Sequence, residues 1–274
     1  FDVMVADEAS RLLGRTTAMA RAAKQLAWKY AWYTLALTGT PIRRGVEDLL
    51  ALFQFIDTSV FGSTIANFRK QYCEQVWRHD QGVSVPQPDC VVELVQRVYS
   101  AAYRVSRAAV DLPEPERRVV RLAPSAEQET HLKRVITEEA ENVLTRDLRQ
   151  QQIVAGFYVD EDGVPRPLPD PKADWIEQYL TDVLPTEDAH VIVWTQFIPE
   201  IETLIAKLEA LFPGTVARID GGVSDADRQV IRRRFNDRQD SLRVLIMNTK
   251  TGAMGLDLPA CDAMLYHSLT YNYI

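Results

Sequence analysis

The sequence predicts an α/β protein with two blocks of parallel sheet, and three observations support this prediction. Short apolar runs of strand length alternate with longer segments whose apolar residues recur at helical spacing. The connections between them are short and contain Gly, Asp or Thr. A polar stretch with two prolines, Asp111–Glu116, separates the two blocks. Because parallel strands need crossover connections, the alternation favours βαβ units in both blocks.

The first block is predicted to run strand, helix, strand, turn, helix. Val3–Ala6 is short, apolar and bounded by acidic residues, as expected for a fully buried parallel strand. Arg15–Trp32 is Ala-rich and suits a helix. Tyr33–Leu37 is predicted to be the second strand, and Val46–Ile56 returns to helical spacing with one apolar stripe.

The middle of the chain, at about 125–170, is predicted to be an insertion of helix and hairpin. Ser125–Gln150 is long, charged and helical in pattern, and Phe157–Leu168 has the turn residues of a hairpin at its centre. Lys172–Leu184 suits another helix.

The second block contains four predicted strands and two predicted helices. The strands are Val191–Trp194, Val216–Ile219, Leu242–Met247 and Ala263–Tyr266, and the helices are Pro199–Phe212 and Asp225–Phe235. We therefore expect two domains, residues 1–112 and 113–274, with the insertion inside the second.

Composition narrows the class of protein. Hydrophobic residues make up 46% of the chain and charged residues 25%, which is typical of a folded globular protein. A net charge of −7 argues against coating nucleic acid by bulk attraction but leaves room for a local groove. No apolar run has the length of a membrane span, so we expect no membrane association.

The cysteines, histidines and tryptophans give no sign of a metal or disulfide framework. Three cysteines without metal-like spacing favour a reducing, cytoplasmic setting. The four histidines are scattered, which predicts no metal site among them, and Trp28, Trp32 and Trp77 are interpreted as packing residues.

The strongest local signal is the acidic pair after the first strand. Ligands of open α/β sheets bind at the carboxyl ends of the strands, where Asp7 and Glu8 are predicted to lie. Asp7 could hold Mg²⁺ beside a nucleotide's β- and γ-phosphates, and Glu8 could orient the attacking water. A solvated strand end without catalytic function is the alternative.

Two further loops follow predicted strands. Thr38-Gly39-Thr40-Pro41 offers two hydroxyls on a tight turn, and an ordinary structural turn is its alternative. The stretch from Thr249 to Pro259 contains donors for a phosphate backbone in Thr249 and Lys250, and two glycines that allow close approach. Asp257 could accept a hydrogen bond from a ribose hydroxyl, and a structural βα loop is the alternative.

Together, in this order, these segments resemble the superfamily 2 helicase-like ATPases, and among them the Swi/Snf-type DNA translocases. Asp7-Glu8-Ala9-Ser10 is similar to the family's Walker B box, although Ser10 stands where His or Asp is usual. The family's later motifs resemble four segments: Leu37–Pro41 with the following helix, Val191–Phe197, Arg218–Gly222, and Thr249–Asp257.

The resemblance implies two RecA-like lobes, the first incomplete at its N-terminus, that use ATP and Mg²⁺ and move along double-stranded DNA. Asp7 and Glu8 would be the Mg²⁺ and water residues, and Thr38 and Thr40 would couple hydrolysis to DNA contact. Thr249 and Lys250 would contact phosphate. Gly255 and Asp257 would lie near the nucleotide.

Two of the family's motifs are missing from these residues. No Gly-x-x-x-x-Gly-Lys-Ser/Thr loop and no final arginine motif is present. We therefore expect these 274 residues to be part of a longer motor, to leave apolar faces of the first sheet exposed, and to be inactive alone. The alternative is a non-catalytic nucleic-acid- or protein-binding module. A motor that works with a nuclease or another accessory subunit is also possible.

Overall fold

The computed structural model of the chain describes residues 2–14, 16–43, 45–78, 81–106, 109, 114–137, 143–185, 188–249 and 256–269. The chain forms two compact units, which divide between residues 116 and 117. No helix among these residues combines the length and the apolar character that a membrane span requires.

The first unit contains a two-stranded parallel sheet, several helices and a hairpin. Its strands are β1 (Val3–Ala6), β2 (Tyr33–Ala36), β3 (Cys73–Arg78) and β4 (Gln81–Pro86). Its helices are α1 (Ala18–Tyr30), α2 (Glu47–Ile56), α3 (Thr58–Phe61), α4 (Ile65–Tyr72) and α5 (Val91–Tyr99). β1 pairs in parallel with β2, and β3 pairs antiparallel with β4. The β3–β4 hairpin and α3 to α5 were not predicted.

The core of the first unit is centred on α2. Leu50 and Phe53 are buried against aromatic residues of the next two helices, including Phe61, Phe68 and Tyr72. The ring centroids of Phe53 and Phe61 are 4.9 Å apart in an edge-to-face arrangement. This packing holds the helix that follows the Thr38–Pro41 turn.

The β1–β2 sheet is partly buried on one face and exposed on the other. Val3, Val5, Tyr33 and Leu35 lie directly opposite one another in the parallel register and are all exposed, Val5 by 53% and Tyr33 by 71%. The prediction that Val3–Ala6 is a fully buried strand is therefore wrong. The prediction of an exposed apolar face on this sheet is confirmed.

Two tryptophans, one in α1 and one just after it, are more exposed than expected. Trp28 and Trp32 expose 82% and 84% of their surface, so the interpretation of both as packing residues is wrong. An apolar run at the end of a helix does not reveal which of its side chains has a neighbouring element to pack against. The side chain of Trp77 lies outside the described residues.

The second unit begins with two helices and a hairpin. The helices α6 (Ala126–Thr137) and α7 (Val143–Val154) contact each other, so the helical stretch predicted over Ser125–Gln150 contains two helices. The hairpin has strands β5 (Phe157–Val159) and β6 (Pro165–Pro167), as predicted. Helical propensity cannot by itself distinguish one long helix from two that fold back on each other.

A four-stranded parallel sheet forms the rest of the second unit. Its strands are β7 (Val191–Thr195), β8 (Val216–Ile219), β9 (Val244–Asn248) and β10 (Ala263–Tyr266), in the spatial order β10-β7-β9-β8. The helices are α8 (Pro171–Val183), α9 (Ile198–Leu211) and α10 (Asp225–Asn236). The apolar residues of β9 are buried on both faces, so the α/β prediction with parallel sheets and crossover helices is confirmed.

Candidate functional site

The acidic pair follows β1 at the carboxyl edge of its sheet, as predicted. Asp7 and Glu8 are both exposed, and an oxygen of Asp7 accepts a hydrogen bond of 2.9 Å from the backbone N–H of Glu8. Glu8 has φ 48° and ψ 47°, and it is the only non-glycine residue with positive φ among those described. A left-handed backbone conformation costs a non-glycine residue such as Glu about 1 kcal/mol or more. Such strain concentrates at functional sites.

The second predicted loop lies beside this pair. Leu37 N–H donates to the carbonyl of Ala6 at 2.8 Å, and Ala9 N–H donates to the carbonyl of Leu37 at 2.9 Å. The two backbone bonds fasten the turn after Glu8 to the residue that precedes Thr38. The hydroxyl of Thr38 accepts the N–H of Thr40 at 3.0 Å, which closes the Thr38–Pro41 turn. The fold therefore brings the two predicted loops to one edge of the first sheet.

The residues at this edge suit a hard cation and a nucleotide phosphate. An exposed carboxylate supplies the oxygen ligand that Mg²⁺ prefers, and Mg²⁺ usually keeps several of its waters when bound. Asp7 directs one oxygen to its own loop, and no hydrogen bond or ion pair is found for the other oxygen among the described residues. No cluster of three or more metal-ligating side chains exists in the described part of the chain. The edge thus fits a water-mediated, single-carboxylate Mg²⁺ contact.

In the second unit, Thr249 follows β9 at the carboxyl edge of the sheet, whereas Asp257 lies beside the C-terminal end of α10 at the opposite, amino edge. Thr249 is half-buried, and its N–H donates to the carbonyl of Thr195 at 2.9 Å. Asp257 is exposed, and its backbone carbonyl accepts a hydrogen bond from the Asn236 side chain at 2.9 Å. Lys250 and Gly255 lie outside the described residues.

A buried polar network that the sequence did not predict lies at the carboxyl edge of this sheet, where α9 begins. Its centre is Glu200 in the first turn of α9, whose side chain has no exposed surface. One carboxylate oxygen accepts hydrogen bonds from the N–H groups of Gln196 and Phe197, at 2.9 and 2.7 Å, and from the Ser268 hydroxyl at 3.0 Å. The other oxygen lies 2.8 Å from Nδ1 of His267.

His267 connects this network to α8. Its Nε2 lies 2.6 Å from Asp170, whose other oxygen accepts the N–H groups of Lys172 and Ala173 and so caps the helix. Lys172 Nζ donates to the carbonyl of His267 at 2.6 Å. Glutamate at the third helical position is a recognisable capping signal, but nothing in the sequence indicates that His267 reaches two carboxylates.

The pKa values follow these contacts. Burial alone lowers the pKa of His267, but the hydrogen bonds to Asp170 and Glu200 outweigh it and hold the pKa above the ordinary 6.5. Burial raises the pKa of Asp170, but the interaction with His267 outweighs it and holds this pKa below the ordinary 3.8. Burial lowers the pKa of Lys172. The network therefore favours an imidazolium ion between two carboxylates.

The turn after β8 is held by a separate set of contacts. Asp220 is buried, accepts the N–H of Gly222 at 2.7 Å and lies 3.2 Å from the guanidinium of Arg218. Arg228 donates to the carbonyl of Asp220 at 2.8 Å. This accounts structurally for the Asp-Gly-Gly segment and for Arg228 downstream.

Two family models together match most of the chain. The SNF2-related domain matches residues 1–159, and the helicase conserved C-terminal domain matches residues 171–274. The first match covers more than half of the chain.

Curated relatives match almost the whole chain at low identity. The CHD3-type chromatin-remodeling factor CHR7 of Arabidopsis thaliana is 25% identical over 98% of this chain, which is 22% of that protein. The putative ATP-dependent helicase/translocase YwqA of Bacillus subtilis is 21% identical over 97% of this chain and 30% of its own length. The chain thus spans between a fifth and a third of the length of these relatives.

One solved structure shows a low similarity to this chain. The Sulfolobus solfataricus SWI2/SNF2 ATPase core in complex with dsDNA has a TM-score of 0.46 and 18% identity, covering 97% of this chain and 57% of that one. The family itself is established by the match over residues 1–159: the chain belongs to the SNF2-related domain family of helicase-like ATPases, whose members use ATP.

Proposed function

We propose that this chain is part of an ATP-driven DNA translocase. The observation that carries the proposal is the edge of the first sheet, where Glu8 is held in a left-handed conformation and the Thr38 turn is fastened to the residues around it. An acidic residue fixed at a braced strand end suits phosphoryl transfer, because positioning and charge neutralisation carry most of that reaction.

In the proposed reaction, each residue of this edge has one role. Asp7 would hold Mg²⁺ through water, and the ion would supply positive charge beside the phosphates of ATP. Glu8 orients and polarises the attacking water. Thr38 and Thr40 couple the state of this edge to nucleic-acid contact.

The second unit is proposed to contact double-stranded DNA and the nucleotide. Thr249 and Lys250 contact backbone phosphates, and Gly255 and Asp257 lie near the nucleotide. The net charge of −7 means that DNA is held by such local contacts and not by bulk attraction.

The phosphate-binding loop and the final arginine are proposed to come from residues of the complete protein other than these 274. The exposed apolar residues Val3, Val5, Tyr33 and Leu35 form a face of the sheet that further elements of the same lobe would cover. Removal of an arginine finger lowers turnover by about 10³- to 10⁵-fold in related phosphoryl-transfer enzymes, so we expect negligible ATPase activity from these residues alone.

The test is an ATPase assay of the complete gene product with and without duplex DNA. We expect DNA to stimulate turnover, and Glu8→Gln to lower the stimulated rate by about 10²- to 10⁴-fold while leaving ATP binding intact. Glu74→Gln, an exposed carboxylate on β3 of the same unit, is the matched control and should have wild-type activity.

The same assay tests the second candidate, a non-catalytic binding module. The absence of a Gly-Lys-Ser/Thr loop from these residues is the observation that favours it. Duplex binding without DNA-stimulated turnover in the complete protein would support the module and contradict the translocase.

A further inference from the structure

We propose that the His267 imidazolium, which bridges Asp170 and Glu200, is a positioning group. It fixes the turns that contain Gln196 and Thr249 for contact with nucleic-acid phosphates. The three bridging side chains, Asp170, Glu200 and His267, are called the clamp below. The last step of this inference, the contact with phosphate, rests on the proposed function. The clamp itself rests only on the geometry of the second unit.

The geometry of the clamp requires an extra proton. Both ring nitrogens of His267 face a carboxylate oxygen, at 2.6 Å from Asp170 and 2.8 Å from Glu200. A carboxylate can only accept hydrogen bonds, and a neutral imidazole has only one N–H. With both carboxylates ionised, the two contacts are therefore satisfied only when the ring carries two protons. The ring has no exposed side-chain surface, so water cannot replace either partner.

The charged groups that face the ring come from two helices. Asp170 and Lys172 belong to the start of α8, and Glu200 belongs to the first turn of α9. When His267 is protonated, its positive charge and that of Lys172 balance the negative charges of the two carboxylates. Loss of the ring proton leaves two buried carboxylates and one ammonium group, and it turns one ring nitrogen's lone pair toward a carboxylate.

The clamp reaches the proposed DNA edge through a short chain of hydrogen bonds. Glu200 holds the N–H of Gln196, and the carbonyl of Gln196 accepts a hydrogen bond of 2.9 Å from the side chain of Asn248. Asn248 is the last residue of β9 and precedes Thr249, whose own N–H is bound to the carbonyl of Thr195. A disturbance at Glu200 therefore displaces both turns at this edge.

Asp170→Asn is the variant that removes the need for the extra ring proton while it keeps the hydrogen bonds of the clamp. The amide oxygen of Asn can still cap α8, and its NH₂ group can donate to Nε2 of a neutral His267. The connectivity survives without the extra proton. Asp262→Asn is the matched control, because Asp262 accepts the N–H of His190 at the opposite edge of the same sheet.

The experiment measures duplex DNA affinity of the complete gene product as a function of pH. We expect the affinity of the wild type, and of Asp262→Asn, to weaken by about fivefold or more as His267 loses its proton at alkaline pH. Asp170→Asn should lack this transition. His267→Gln should bind weakly at every pH. Identical pH profiles for the wild type and Asp170→Asn would overturn the positioning role.

Hydrogen exchange distinguishes failure of the clamp from failure of the proposed function. If the complete protein binds no duplex at any pH, the translocase proposal fails and the phosphate contact fails with it. The exchange rates of the Gln196 and Phe197 amides then decide on the clamp. The clamp is supported if exchange of these amides at alkaline pH accelerates beyond the intrinsic rate in the wild type but not in Asp170→Asn. Equal acceleration in both proteins overturns it.

Discussion

Two buried histidines lie at opposite edges of the four-stranded sheet, and their surroundings favour opposite protonation states. His190 precedes β7, and its Nδ1 lies 2.6 Å from the carbonyl of Phe235. Burial and the nearby guanidinium groups of Arg238 and Arg243 outweigh this hydrogen bond and lower the pKa of His190. His267 follows β10 and faces two carboxylates that raise its pKa.

The comparison teaches that burial alone does not decide the charge of a histidine. Both side chains are removed from water, which by itself disfavours the charged form in each. A carbonyl needs only one N–H, which a neutral ring supplies, whereas two carboxylates need two. The amino edge of the sheet is therefore held by a neutral ring, and the carboxyl edge by a charged one.

The largest effect is expected from removing a carboxylate of the clamp. Glu200→Ala leaves the imidazolium with one partner and removes the acceptor of the Phe197 N–H and of the Ser268 hydroxyl, and it should lower the free energy of unfolding by about 3–5 kcal/mol. Hydrogen exchange of strands β7 and β10 in the full chain measures this loss. Glu202→Ala, an exposed glutamate on the same helix, should cost under about 0.5 kcal/mol. Equal losses for both variants would contradict the central place of Glu200.

A backbone change beside the clamp should have the next largest effect. Gly156 has φ +86°, and a Cβ there would lie 2.6 Å from the Asp170 carboxylate. Gly156→Ala should therefore destabilise the second unit by about 2–3 kcal/mol, from backbone strain and displacement of Asp170. Gly163 has φ +79° but open space around it, so Gly163→Ala should cost about 1 kcal/mol from strain alone. Thermal unfolding of the two variants compares the two costs, and a Gly156 variant no worse than the Gly163 variant would show that Asp170 can move freely.

Replacement of the neutral histidine should cost less. His190→Phe leaves the Phe235 carbonyl without its donor but also removes Nε2, a buried ring nitrogen with no partner among the described residues. We expect a net loss of about 1 kcal/mol, measured by urea unfolding of the full chain. A loss as large as that of Glu200→Ala would contradict the distinction between the two edges.

The remaining effect is the pH dependence of stability, and its sign differs between the two rings. The raised pKa of His267 contributes stability that is complete below pH 6.5 and is lost as the pH rises through the folded-state value. The lowered pKa of His190 contributes stability above pH 6.5 that is lost as the pH falls through its folded-state value. Each slope is at most about 1.4 kcal/mol per pH unit.

Urea unfolding at a series of pH values checks this pattern. His267→Gln should remove the alkaline loss and keep the acid loss, whereas His190→Phe should do the reverse. If either variant removes the other's transition, the assignment of charge to the two rings is wrong.

The sequence alone determined the alternation of strands and helices and the place of the first acidic pair. The strands of the second sheet were predicted within one or two residues of their ends, because each is a short, mostly apolar run between helical segments and loops. The central strands β7 and β9 are buried along their length, whereas β8 and β10 are partly exposed. Asp7 and Glu8 were predicted at a strand end because acidic residues cannot continue a buried strand. The exposed face of β1 was not visible in the same way, since an apolar run does not reveal which neighbours will cover it.

Only the tertiary structure decided which distant polar residues meet. Asp170 and His267 are separated by 97 positions, and Glu200 and His267 by 67. No local spacing rule connects residues so far apart, because their contact is set by the order of strands in the sheet and by where two helices begin. The left-handed backbone of Glu8 has the same origin: it is maintained by hydrogen bonds to the end of β2, and its sequence neighbours alone do not dictate it.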